Sequence, residues 1–135
     1  MMFTLQQLKD AHARVKSGAD FPRYIQEIKA LGLLTYEFMV TDGAVTYYGI
    51  NGHEVSAPAF YGPLTISNTS SAGDLKHTIA IHQLGQTDFM TFCQQAADAG
   101  VEKWVIDTQT MLCTYYDLQG NALVAEPIPQ VGYEA

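Results

Sequence analysis

Residues 20–58 read DFPRYIQEIKALGLLTYEFMVTDGAVTYYGINGHEVSAP, and residues 88–126 read DFMTFCQQAADAGVEKWVIDTQTMLCTYYDLQGNALVAE. The two lie over one another without a gap at an offset of 68 positions, with nine identities in 39. The identities are Asp20/Asp88, Phe21/Phe89, Gln26/Gln94, Gly32/Gly100, Thr46-Tyr47-Tyr48/Thr114-Tyr115-Tyr116, Gly52/Gly120 and Ala57/Ala125. They fall where backbone geometry is strictest, at a helix start, a helix stop, a strand centre and a turn. Recurrence of this kind marks one supersecondary unit used twice.

Within the first copy, Asp20 is placed to cap a helix with Pro22 in its first turn, where a missing N–H costs nothing. Phe21, Tyr24, Ile25, Ile28 and Leu31 give it one apolar stripe, and Gly32 ends it. Leu34, Tyr36, Phe38 and Val40 then alternate with Thr35, Glu37 and Met39, the pattern of a half-buried strand. Asp42-Gly43 and Asn51-Gly52 are tight-turn signals, so Ala44–Gly49 and His53–Ala57 read as the other strands of an antiparallel meander ended by Pro58.

A helix is predicted before this copy, over 4–16, with Leu5, Leu8, Ala11, His12 and Val15 on one stripe and Ser17-Gly18 as its stop. The second copy repeats the order. Ser70 or Ser71 caps a helix from Ala72 to about Leu84, with Leu75, Ile79, His82 and Gln83 near its inner face. A helix opening at Thr87-Asp88 follows, carrying Phe89, Phe92, Cys93, Ala96 and Ala97. Strands are then predicted over 103–107, 111–117 and 122–126, ended by Pro127 and Pro129. The last six residues are expected to be loose.

The reading is therefore an α+β protein, an internally duplicated αα-βββ unit with helices on one face of antiparallel meanders and a pseudo-twofold axis. It is one domain over 1–135, made of repeats at about 4–58 and 72–127 joined by a linker at 58–71. That linker is expected to be irregular, with a short extended piece at Leu64-Thr65-Ile66.

The chain has 135 residues, 47% of them hydrophobic, enough to bury a core without staples. No window approaches the roughly 20 apolar residues of a membrane span, so no membrane partner is expected. The polar start, MMFTLQQLKDAHARVK, does not read as a secretory signal, which makes the cytoplasm the expected compartment. The net charge of −7 is unevenly spread, with residues 1–32 at +2 and the remainder at −9. Such a surface repels polyanions, so no nucleic-acid partner is expected.

Motifs for chemistry are sparse. Cys93 and Cys113 align with Ile25 and Val45, which predicts buried, inert thiols. His77 and His82 are five apart on a helix and point apart, and no metal-ligand or cofactor pattern is present, so no metal and no cofactor are expected. No catalytic residue is identifiable, which leans the reading away from an enzyme. The repeated Thr-Tyr-Tyr strand is the most individual feature. Alternation sends Tyr47 and Tyr115 to the core with Val45 and Cys113, and Tyr48 and Tyr116 to the opposite face. Tyr48 and Tyr116 are candidates for the floor of a binding surface, and His53 is a candidate at its rim.

The runs SGADFPRYIQ (17–26), VTDG (40–43), PLTI (63–66), TDFMTFC (87–93), EKWVID (102–107) and CTYYDLQGN (113–121) resemble the YdfO-like family of uncharacterised bacterial and prophage proteins, domain of unknown function 1398. The resemblance runs from about Phe3 to about Pro129. It implies a small α+β fold and a bacterial or prophage origin, and it carries over no catalytic residue. Some members bear the label "phage envelope protein". Three functions stand as expectations: a non-catalytic module binding a protein or small ligand, from the paired tyrosines and the missing catalytic signature; an enzyme with a cleft between the repeats, with His53, Tyr48 or Tyr116 as candidates; or a phage assembly component, which the family label alone implies.

Overall fold

The computed structural model describes residues 2–16 and 20–128. The predicted stops at Ser17-Gly18 and Pro129 and the tail beyond lie outside the described residues. The fold is α+β, with four helices and one six-stranded antiparallel sheet. The helices are α1 (Leu5–His12), α2 (Phe21–Ala30), α3 (Ala72–Gln83) and α4 (Phe89–Asp98). The strands are β1 (Leu33–Met39), β2 (Val45–Gly49), β3 (Glu54–Ala57), β4 (Val101–Asp107), β5 (Leu112–Asp117) and β6 (Ala122–Pro127).

The sheet runs β3-β2-β1-β4-β5-β6, so the two meanders join through β1 and β4 at its centre. Their register pairs Glu37 with Val105, and Thr35 and Met39 with Asp107 and Lys103. Glu37 and Val105 are themselves 68 apart, so the offset relates the two strands of the seam to each other. The ladder continues at both ends: Val40 donates to the Glu102 carbonyl (3.0 Å) and Thr108 to that of Leu34 (2.9 Å). Bulges fall at Leu33/Thr35 against β2 and at Val101/Lys103 against β5, again at the same offset.

The core is built by alternation. One row across the inner face holds Val55, Tyr47, Tyr36, Ile106, Cys113 and Glu126, and the next holds Ala57, Val45, Phe38, Trp104, Tyr115 and Val124. The helices cover this face with Leu8 and Ala11, Tyr24, Ile25 and Ile28, Leu75 and Ile79, and Phe92, Cys93, Ala96 and Ala97. Phe38 stacks on Trp104 at 4.2 Å between ring centroids, and Phe89 and Phe92 pack against the indole. Stacked aromatic pairs add about 0.5–1.5 kcal/mol beyond the area they bury. The seam between the halves is thus filled on its helix side by large rings.

Several local expectations are corrected. α1 ends at His12 rather than 16, because Arg14 and Val15 bond three residues back in a tighter turn. Asp20 does not cap α2. Its carboxylate accepts from the Lys16 N–H (2.9 Å) instead, and Pro22 removes one of the amides a cap would serve. Asp88 does cap α4, accepting from the Thr91 N–H at 2.8 Å. The bulge turns Leu33 into the core and leaves Leu34 half-buried, and β4 begins at Val101 rather than Lys103. At the second turn Asn51 and Gly52 both have positive φ (56° and 76°), the type I′ geometry of Asn-Gly, but Ile50 is an extra residue before them: the Gly49 N–H bonds to the His53 carbonyl (2.7 Å) and the His53 N–H to that of Ile50 (3.1 Å). At the first, the loop is longer, closed by the Gly43 N–H on the Met39 carbonyl (2.7 Å). Gln83 is exposed, where it bonds to Glu126 (2.7 Å).

The linker contains no strand but is tied down. Phe60 and Tyr61 donate to the Asp42 carbonyl, Leu64 to Thr41, and Ser67 and Ser71 to the C-terminal end of α4. The Tyr61 hydroxyl reaches the Val40 carbonyl at 2.6 Å. Both cysteines are free and buried. Burial pushes the Cys93 thiol up to about 11 and the Cys113 thiol up to about 12, so neither forms a thiolate near neutrality. A disulfide-exchange thiol reagent should therefore label the native chain only on the timescale of unfolding. Rapid stoichiometric labelling without denaturant would contradict this.

Asp117 occupies the position of Gly49 and does something that glycine cannot. Its buried carboxylate accepts N–H bonds from Asn121 and Gln119, both at 2.9 Å, and from the Asn121 amide at 3.3 Å. The Asn121 N–H is the main reason its pKa is held below the usual carboxylate value. A carboxylate depressed in the folded state adds stability that is complete above its unfolded pKa, about 3.9, and is lost as pH falls through the folded value. The melting-temperature gap between the chain and Asp117→Ala should accordingly close as pH drops below about 4. A gap that stays constant from neutral pH to strong acid would remove this role.

Candidate binding surface

The outer face of the sheet follows from the same alternation that builds the core. Its central row is Ser56, Thr46, Glu37, Val105, Thr114 and Ala125. On one side lie Glu54, Tyr48, Thr35, Asp107, Leu112 and Pro127, and on the other Met39, Lys103, Tyr116 and Ala122. Thr35, Thr46, Val105 and Thr114 are β-branched and Tyr48 and Tyr116 aromatic, residue types that suit a pleated, half-open surface. The four helices all contribute to the opposite side.

Tyr48 and Tyr116 are both partly exposed on this face, in register beside Thr35 and Lys103 respectively. They lie three strands and four residues apart, roughly 20 Å by strand spacing and rise. Between them runs a polar band. Lys103 Nζ bonds to Glu37 Oε1 at 3.3 Å and sits 5.8 Å from the centroid of the Tyr116 ring. Partial burial, then the carboxylates of Glu37 and Glu54, push the Tyr48 hydroxyl pKa up. The phenol therefore stays a neutral donor at physiological pH.

His53 is not part of this group. Its Nε2 lies 2.8 Å from the Phe3 carbonyl, which can only accept, so Nε2 carries the proton and donates. Its ring stands edge-on to Phe3 at 4.6 Å, and Phe3 is buried in the core. His53 thus holds the N-terminal segment to the β2–β3 turn, on the helix side of the sheet.

The seam pair Glu37–Lys103 was not legible in the sequence, because the two residues are 66 apart and come together only through the β1–β4 register. Elsewhere, two shallow grooves lie on the helix side. One of about 340 Å³ is lined by Gln7, Asp10, Arg14, Glu27 and Leu31, and one of about 560 Å³ by Pro63, Leu64, Thr65, Ser67, Gln94 and Asp98. Arg14 and Glu27 close the first with an ion pair. Among the described residues no three of His, Cys, Asp and Glu gather as a metal site would require, and no helix is long and apolar enough to cross a membrane.

The sequence model of a family described as "Protein of unknown function (DUF1398)" matches residues 9–127. The chain belongs to this family. The match takes in both meanders, the seam and both outer tyrosines. The chain is also similar to the "Uncharacterized protein YcgX" of Escherichia coli (strain K12), 29% identical over 65 residues. That alignment covers 48% of each sequence, so the chain spans about half the length of this curated relative. DUF1398 membership fixes kinship and leaves the activity to be argued from the surface.

Proposed function

We propose that this DUF1398 chain is a non-catalytic protein-binding module that works through the outer face of its sheet. We also read it as one bacterial or prophage-encoded domain made by duplicating an αα-βββ unit, with repeats at about 4–58 and 72–127, acting in the cytoplasm. The recurrence of helix ends, bulges and turns at one offset supports the duplication. The observation that carries the binding reading is the outer face itself, which none of the described helices covers, with Tyr48 and Tyr116 set on either side of the Glu37–Lys103 pair. Two rings roughly 20 Å apart on a pleated plane cannot enclose one small molecule, whose sites are concave. They suit a broad macromolecular contact, where tyrosine supplies area and a hydroxyl at low entropic cost.

The test is parallel capture from a bacterial lysate by the immobilised chain and by its Tyr48→Ala/Tyr116→Ala variant. A protein retained by the first and lost by the second, with the variant still folded by circular dichroism, supports the reading. Identical captured sets from a chain that is also monomeric would remove it.

A further inference from the structure

We propose that the partner of the outer face is a second copy of this chain, packed sheet against sheet in a twofold dimer. This rests on the reading of that face as the working surface. The argument begins with charge. Glu37 and Lys103 sit at the middle of the face, 3.3 Å apart and each about one third exposed. Among the described residues Lys103 is the one cation there. A basic partner would meet a carboxylate already matched by Lys103, and an acidic partner a lysine already matched by Glu37. A surface bearing the same two charges offers both groups a new opposite, and a twofold contact supplies it by symmetry: Glu37 against the other copy's Lys103, and Lys103 against its Glu37.

Size and relief agree. Six strands about 4.8 Å apart and five residues at about 3.3 Å span roughly 29 by 17 Å, or about 500 Å² in projection before side-chain relief is added. A standard interface takes about 800 Å² of accessible surface from each partner, which such a face with its relief approaches. Short side chains in the central row, Thr46, Val105 and Thr114, let two sheets approach the separation of about 10 Å seen in sandwiches. Tyr48 and Tyr116 then flank the contact. Glu54 lies on the edge strand, and Asp107 already accepts from the Gln109 and Thr110 amides, so neither needs a partner's cation.

The experiment is sedimentation velocity of the full chain from micromolar concentration upward, with Lys103→Glu, Glu37→Lys and the double exchange beside it. The unaltered chain should sediment at twice its 14.8 kDa mass. Each single reversal sets like charges against each other and should weaken the dimer about tenfold or more, whereas the double exchange restores both pairs and the dimer with them. Circular dichroism melts check that each variant is folded. Thr114→Arg, which leaves the charge pair intact, is a second route to the same loss.

A single-chain mass at every concentration would overturn the second-copy proposal, as would a dimer indifferent to Lys103→Glu, Glu37→Lys and Thr114→Arg. If the chain is monomeric but the Tyr48→Ala/Tyr116→Ala variant still loses a captured lysate protein, the second copy is refuted and the binding reading stands. If the chain is monomeric and the captured sets are identical, both are refuted.

Discussion

Tyr47→Ala and Tyr115→Ala should each lower the unfolding free energy by about 3–5 kcal/mol, the range for large aromatic truncations in packed cores. Tyr47 lies 5.5 Å from Tyr36 and Tyr115 lies 5.8 Å from Trp104, ring centroid to centroid, beneath the helices. Removing either ring empties volume in the core that the neighbouring rings, fixed on paired strands, cannot refill. Their sequence neighbours Tyr48 and Tyr116 face the other way, and Tyr48→Ala or Tyr116→Ala should cost about 1 kcal/mol or less. Urea unfolding of the four single variants measures the contrast. If the outer pair proved as costly as the inner pair, the outer face would have to be covered by structure, and the binding proposal would lose its residues.

Gly100→Ala is expected to destabilise by about 2–4 kcal/mol, from a left-handed backbone and a collision together. Gly100 has φ +90°, and a Cβ placed there would stand 2.7 Å from Ser70 Cα and 3.1 Å from the Thr69 carbonyl oxygen. Backbone cannot swing aside as a side-chain tip can. Gly120 has a similar φ of +83° with open space around it, so Gly120→Ala isolates the conformational part and should cost about 1 kcal/mol. Equal losses in the two variants would show that the linker yields and that the close approach at Ser70 carries no weight.

What could be read from the sequence was whatever is encoded locally. The offset that lays Asp20 on Asp88 and Gly32 on Gly100 gave the element order, and alternation through Thr46-Tyr47-Tyr48 gave the facing of the tyrosines. Two kinds of information were not local. Equivalence at a fixed offset says that β1 and β4 are alike, but not that they pair with each other, so the single sheet and the Glu37–Lys103 contact stayed hidden. The environment of His53 was equally hidden, since its partner is a carbonyl 50 residues away. Smaller misreadings share this origin. Leu34 fits the alternation of β1, yet a bulge admits Leu33 to the core in its place. Asp20 has the residue type of a helix cap, yet Pro22 follows it and Lys16 offers an amide. In each case a tertiary or neighbouring partner outweighed a propensity.

The measurement that bears most directly on the outer face as the working surface is site-specific photocrosslinking in living bacteria. A photoreactive phenylalanine derivative would be placed at Thr46 and, separately, at Thr114 on the outer face, with Arg23 and Lys76 on the exposed helix side as controls. Adducts should form from Thr46 and Thr114, vanish in the Tyr48→Ala/Tyr116→Ala background, and migrate at twice the chain's mass if the partner is a second copy. Adducts confined to Arg23 and Lys76 would contradict the account and move the working surface to the helices.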